Sequence, residues 1–310
     1  MRLACAAVFL SVTACSAQTL WHDPGDISSL DFGGTVGAAV SMPKPPFRFV
    51  REDLSGTQPK LFARDANGLM WDVKFGYEVK PESFCWRVVH ACGYFAEPSF
   101  FVASGKFEGY KPIRRATASL KPDGSFIQGR FQYRDPELKF LQRNWRWDRP
   151  PFAGTKELSG LKILIMLFSN WDNKDGRVGG GGPNTAIFED KGKLIYAFTD
   201  WGSGMGSWGS KPGSDTNWRC EDFAKQTPGF VQGVREGRVV FGWSGAINAG
   251  FKSAIPPAHV AWLMGYLGKI SDEQLHAGLK ASGAMDGEAE CFAKALRGRI
   301  ERLRRVAGRD

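Results

Sequence analysis

Beyond its first twenty residues the sequence has no apolar run long enough to cross a bilayer: Leu161 to Phe168 is far short of the ~20 residues that a spanning helix needs. There is no C-x-x-C pair and no cluster of histidine and cysteine at ligand spacing, which excludes the common structural zinc sites. His90, His259 and His276 fall in helical patterns without partners at ligand spacing and read as structural. No internal repeat is visible. The glycine string nearest the N-terminus, Asp31-Phe32-Gly33-Gly34, is not followed by a helical pattern, so it is not a phosphate loop.

What is present is ordinary globular material. Of 310 residues, 43% are hydrophobic and 24% charged, enough to bury a core and inconsistent with a disordered or fibrous chain. Single cores stop growing at about 250–300 residues, so the length suits one large domain or two lobes around a cleft. The opening Met1-Arg2, the uncharged run Leu3 to Val12 and the small residues after it have the form of a secretory signal over residues 1–17. Val12-Thr13-Ala14-Cys15 also resembles a bacterial lipobox, in which the cysteine becomes a lipidated N-terminus; cleavage after Ala17 is the alternative. Either way the expected location is outside the cytoplasm, in a periplasm or on a membrane as a lipoprotein.

Export permits disulfides. Cys85 and Cys92 lie seven residues apart in a helical pattern, roughly 10 Å along the axis and too far to bridge, so core packing is their expected use. Cys220 with Cys291 is left open. The net charge of +9 is uneven, with six arginines between Arg297 and Arg309. Phe292, Leu296, Ile300, Leu303 and Val306 recur there at spacings of three and four, so the arginines form the solvated face of an amphipathic helix rather than a nucleic-acid surface.

Residues 18–46 carry glycine and proline without periodicity and read as an N-terminal linker. From Phe47 the pattern becomes short strands, Phe47 to Val50, Lys60 to Arg64 and Leu69 to Phe75, with Asn67-Gly68 as a hairpin turn. Pro81-Glu82 then opens a helix that Gly93 stops. These elements define a β-rich unit over 47–110, followed by a larger unit over 111–310. The latter has strand-like material from Ala116 to Tyr133, a buried helix over Leu158 to Phe168, and two short strands, Thr185 to Phe188 and Leu194 to Phe198. Helices begin at Pro256-Pro257, at Ser271 with Gln274 completing a capping box, and near Gly287. The fold class is α+β, with a β-rich front half and a mainly helical back half.

Phosphoryl transfer needs a backbone loop that approaches phosphate, a lysine, an acid at the nucleophile and oxygen ligands for a metal. Candidates for each occur in order. Ser55-Gly56-Thr57-Gln58-Pro59-Lys60 lies between two strands, where Gly56 lets amides approach an anion. Lys74 sits in the third strand, with Glu82 in the first turn of the next helix as its ion-pair partner and Glu78 competing for that role. Asp172 and Asp175 follow the buried helix, and Asp200 ends a strand before Trp201-Gly202.

The segment Asp53 to Lys60 resembles the phosphate loop of HipA-type kinases, which carry a similar S-G-x-Q-x-K string. The wider layout, over residues 47–270, resembles the protein-kinase-like clan that also holds phosphoinositide kinases and secretory-pathway kinases. The resemblance implies a two-lobed fold binding ATP with Mg²⁺ or Mn²⁺. It makes Ser55, Gly56, Thr57, Gln58, Lys60 and Lys74 nucleotide ligands, and Asp172 the catalytic acid with Lys74 and Glu82. Asp200 becomes a metal ligand, joined by Asn184 or Asp175. Two features depart from the clan pattern: Arg177 stands five residues after Asp172, where an asparagine ligand is common, and Trp171 and Asn173 flank Asp172 in place of histidine or arginine. The acceptor would be a protein, sugar or lipid. The competing functions are a catalytically inactive pseudokinase and an envelope lipoprotein that binds a ligand, a partner or carbohydrate through its tryptophans.

Overall fold

The computed structural model describes residues 17–115, 117–142, 144–178, 182–209 and 217–308. The signal-like stretch, with Cys5 and Cys15, lies outside them, as does most of the glycine run at 179–182. Among the described residues, no helix is long and apolar enough to cross a membrane.

The chain enters through a two-residue strand, Gln18–Thr19 (β1). Five strands then close into a barrel: Phe47–Asp53 (β2), Lys60–Arg64 (β3), Met70–Lys74 (β4), Ser99–Glu108 (β5) and Ser125–Tyr133 (β6), in the order β2-β3-β4-β6-β5. Parallel pairing of Phe47 and Arg48 with Phe107 and Glu108 shuts the ring. Strand alternation explains the barrel's two faces. Leu61, Ala63, Trp71 and Val73 are fully buried, and the interior is filled by Phe47, Phe100, Phe107, Phe126 and Phe131 around Trp71. The Asn67-Gly68 turn forms as the sequence predicts, with Asp65 Oδ1 accepting from the amides of Asn67 and Leu69 and Gly68 at φ +76°.

Val79–Ala91 (α1) lies on the outside of the barrel and is buried along nearly its whole length. The remaining helices are Lys156–Leu167 (α2), Cys220–Gln226 (α3), Pro257–Leu267 (α4), Asp272–Ala281 (α5) and Asp286–Ala307 (α6). A second sheet, in the order β1-β9-β8-β7, is built from Lys139–Gln142 (β7), Thr185–Asp190 (β8), Lys193–Phe198 (β9) and β1. Val231–Arg235 (β10) and Arg238–Phe241 (β11) form a separate hairpin. The class is α+β, and one apolar core runs unbroken from the barrel to α6.

Three expectations are corrected. Residues 18–46 are not a linker: Leu20, Ile27, Phe32 and Val36 are buried, β1 pairs in parallel with β9, and Trp21 stacks edge-on against Trp262 and Tyr266 of α4. Irregular backbone without periodicity can still be core when other elements satisfy its carbonyls. Here Arg87 of α1 bonds the carbonyls of Phe32 and Gly34, and Gln274 of α5 bonds those of Ile27 and Leu30. The boundary at residue 110 also moves, because β6 sits inside the barrel between β4 and β5. Finally, the back half is less purely helical than its composition suggests, since β7 and the β10–β11 hairpin lie within it.

Cys220 and Cys291 form a disulfide with Cα atoms 6.1 Å apart, whereas Cys85 and Cys92 are free and buried, as their spacing required. The disulfide joins α3 to α6. Arg299 strengthens the same junction: fully buried, it donates to the carbonyls of Leu167 and Phe223 and to Ser169 Oγ, with its guanidinium over the Phe223 ring.

A fully buried side chain in the N-terminal segment gives a direct check. Ile27→Ala should destabilise the protein by about 2–5 kcal/mol, the usual cost of a truncated core residue. Chemical denaturation measures this; an unchanged midpoint would restore the linker reading.

Candidate active site

The site grows from strand register. Lys60 of β3 faces Lys74 of β4, and Lys74 faces Arg130 of β6, so three cations occupy one row across the barrel. Asp72 is two residues from Lys74 and therefore on the same outer face. Rows of like charge repel, and this one is answered from all sides. Lys74 Nζ donates to Glu78 Oε2 at 2.8 Å and to Glu82 Oε1 of α1. The other Glu82 oxygen lies 2.7 Å from Arg130 Nε. Asp72 joins Arg130 at 3.6 Å and Arg134 at 2.7 Å, and Arg134 reaches Glu97 at 3.0 Å. Lys60 meets Asp53 at 3.3 Å.

The facing wall is placed by α2, capped at Thr155 and almost wholly apolar. Past its end Ser169 adopts φ +56° and turns the chain. The Asn170 side chain then accepts from the Asp172 amide at 3.1 Å and donates to the Asp200 carbonyl at 2.8 Å. The β8–β9 hairpin runs out and back, and Asn184 at its base donates to the Asp172 carbonyl at 2.6 Å. Asp172 and Asp200 thereby arrive together. Gly202 brings this turn against α1, since a Cβ there would lie 2.8 Å from the Glu78 Cβ and 2.9 Å from Glu82 Oε1.

Carboxylate oxygens of Glu78, Glu82 and Asp200 lie within 4.8 Å of one another. Asp172 Oδ2 pairs with Lys174 at 3.1 Å, while its buried Oδ1 has no hydrogen-bond partner. Burial, then Glu78, push the Asp200 carboxyl up to about 7, against the pull of Lys74. Burial would lower the Lys74 pKa, but Glu82 and Glu78 outweigh it and hold the ammonium firmly charged. Burial opposes ionisation of Glu82 and Asp72 too; Arg130 and Lys74 hold the Glu82 carboxyl below its ordinary range, and Arg130 and Arg134 do so for Asp72.

The glycine-containing turn between β2 and β3 opens beside this row. Ser55 Oγ donates to Asp53 and accepts from Lys60 Nζ at 3.0 Å, and Gly56 has φ +63°. A Cβ on Gly76 would lie 2.7 Å from Gln58 Oε1, so the turn's glutamine lies over the end of β4. Ser55, Gly56, Gln58 and Lys60 thus gather on the barrel rim with Lys74, and Thr57 belongs to the same turn.

The structure therefore brings together Lys74, Glu82, Asp172, Asp200 and Asn184, and it resolves the competition for Lys74 by using both Glu78 and Glu82. Asp175 is corrected: its carboxylate accepts from the Trp147 amide at 2.9 Å and is gripped by Arg177 at 2.9 Å, so it braces the loop and is not part of the acidic cluster. Arg130, Asp72 and Asn170 were not singled out from the sequence. Asp72 was findable, because period-two alternation puts it beside Lys74; Arg130 required the register of β4 with β6.

No protein-family model matches the sequence, and no curated protein does. Among solved structures, that of the Golgi casein kinase is similar over 85% of this chain and 72% of its own, with a TM-score of 0.44 and 10% sequence identity.

The raised Asp200 pKa has a signed consequence. In the metal-free fold Asp200 keeps its proton up to about 7, whereas an unfolded aspartate releases it near 3.8, so its contribution to stability is present at low pH and lost as pH rises through 7. Thermal unfolding should show the wild type losing ground to Asp200→Asn from about pH 4 up to about 7 and holding level above it. Parallel pH profiles for the two proteins would contradict this environment for Asp200.

Proposed function

We propose that this chain is a metal-dependent, kinase-like phosphotransferase with ATP as donor. The observation that carries the reading is the triad Glu78, Glu82 and Asp200 beside Lys74, with Asp172 held across from it by Asn170 and Asn184. Among the described residues, the seven carboxylates of Asp53, Asp72, Glu78, Glu82, Glu97, Asp172 and Asp200 are answered by the five cationic groups of Lys60, Lys74, Arg130, Arg134 and Lys174. In the metal-free fold the excess is met partly by protonation of Asp200, whose carboxyl burial and Glu78 push up to about 7. A divalent cation would supply the missing charge, and hard oxygen donors suit Mg²⁺ or Mn²⁺.

Asp200, with Glu78 or Asn184, would hold the ion, whose chemistry is to neutralise phosphate charge. Lys74 and Lys60 would orient the phosphates from the barrel rim together with the turn at Ser55 to Gln58. The unpartnered Oδ1 of Asp172 is free to accept the proton of an attacking hydroxyl. Such catalysis is positioning and electrostatics, which fits a site held by so many fixed ion pairs. The acceptor class is a hydroxyl-bearing protein, sugar or lipid.

A second reading is favoured by one observation: Arg177 saturates Asp175, which leaves Asn184 as the remaining expected partner of Asp200 in holding a metal. On that reading the site binds nucleotide without turnover, as a pseudokinase. A thermal-shift titration with Mn²⁺ and ATP separates the readings. Wild type should be stabilised, Lys74→Met and Asp200→Ala should lose the shift, and Asp172→Ala should keep it while turnover falls at least ~100-fold. Binding without turnover in the wild type selects the pseudokinase; no shift in the wild type removes the nucleotide.

The signal-like residues 1–17 supply the extracytoplasmic part of the proposal, with Cys15 as the point of lipid anchorage on a membrane or Ala17 as the last residue removed. Residues 1–30 fused to a reporter that is active only after export should give signal, and a silent fusion would return the protein to the cytoplasm.

A further inference from the structure

The turn between β2 and β3 is organised by a side chain from outside it. Arg115 Nη1 donates to the carbonyls of Gly56 and Gln58, both at 2.9 Å, and its Nη2 donates to those of Asp53 at 2.6 Å and Ser55 at 3.1 Å. Arg115 is fixed in turn by Glu52, whose carboxylate accepts from the amides of Arg114 at 2.9 Å and Arg115 at 3.1 Å. One guanidinium thus gathers four carbonyls of one short turn.

The consequence follows from peptide geometry. In a trans peptide the carbonyl of one residue and the N–H of the next point in opposite directions. With the carbonyls of Asp53, Ser55 and Gly56 drawn toward Arg115, the N–H groups of Leu54, Gly56 and Thr57 point away from it. The Ser55 amide is already spent on Asp53 Oδ1 at 2.9 Å, and Pro59 has no N–H to offer behind Gln58. Successive outward amides form an anion-binding nest. Lys60 lies on the same side as the position that a Gly56 Cβ would take, with its Nζ 3.6 Å from it, and adds a positive charge there.

We propose that Arg115 is a positioning residue for anion binding: it pins the turn's carbonyls inward so that the amides of Leu54, Gly56 and Thr57, with Lys60, receive the terminal phosphates of a nucleoside triphosphate. The inference rests on the nucleotide-binding reading above and adds to it the residue that builds the phosphate subsite. Arginine suits the role because its planar fork reaches several carbonyls at once, which a lysine ammonium on one stem cannot reproduce.

The test compares wild type, Arg115→Ala and Arg115→Lys, each shown by thermal unfolding to be folded, for calorimetric binding of Mn²⁺–ATP, inorganic triphosphate and adenosine. Amide hydrogen exchange over residues 54–59 is followed in the absence of ligand. Both variants should exchange faster there and bind ATP and triphosphate about tenfold or more weakly, a loss of ~1.4 kcal/mol, while adenosine affinity stays as in the wild type. A wild type that binds triphosphate in an Arg115-dependent way but not ATP keeps the nest and removes the nucleotide. Equal ATP affinity in wild type and both variants overturns the inference while leaving the nucleotide site intact. Unchanged exchange overturns it too, and a wild type that binds neither ligand overturns both.

Discussion

Everything in the site depends on burying a row of cations against a helix that answers them. Lys60, Lys74 and Arg130 stand side by side because β3, β4 and β6 are in that register, and no single strand controls the row. Buried charges cost several kcal/mol each unless paired, and removing one partner costs more than the pair contributes, because the other is left exposed to a low dielectric. The pairing therefore acts mainly as a specificity device. Glu82 has one oxygen on Lys74 and the other on Arg130, so α1 can lie on the barrel in only one rotation and at one height. Gly202 can then approach, and Asp200 comes with it.

The facing wall is held by quite different forces. Apolar burial fixes α2, and the loop beyond it is tied by hydrogen bonds between the side chains of Asn170, Asn173 and Asn184 and backbone groups. Behind that loop, Arg299 joins the end of α2 to α3, and the Cys220–Cys291 disulfide ties α3 to α6. One wall of the site is therefore set by charge and the other by packing and amide bonds. Change of pH acts on the first wall more directly, since its charged groups titrate while apolar contacts do not, and burial shields these pairs from salt.

Much of this arrangement was legible in the sequence, and the reasons are local. Asn67-Gly68 can hardly be anything but a hairpin turn, and a mainly apolar helix running into Ser169-Asn170-Trp171-Asp172 places polar side chains at its mouth. The two short strands between Asp172 and Asp200 were legible too, and their pairing as a hairpin is what returns Asp200 beside Asp172. What failed to show were the non-local terms. Arg130 becomes a site residue only through strand register, Asp175 leaves the site because Trp147, distant in sequence, offers an amide, and Arg115 reaches its turn from some sixty residues downstream. Residues 18–46 misled for the same reason. A segment with no periodicity carries no local mark of burial, and its carbonyls are satisfied by Arg87 and Gln274 far along the chain.

That last arrangement bears on how the molecule is made. The first described strand, β1, pairs with β9, and the carbonyls of Ile27 and Leu30 bond Gln274, so these residues find those partners only after much of the intervening chain has been made. Contacts of such long sequence separation slow folding, because the entropy of closing the intervening chain is spent before any contact repays it. The pairing of this segment is therefore completed only once β9 and α5 exist, although Arg87 of α1 can meet the Phe32 and Gly34 carbonyls much earlier.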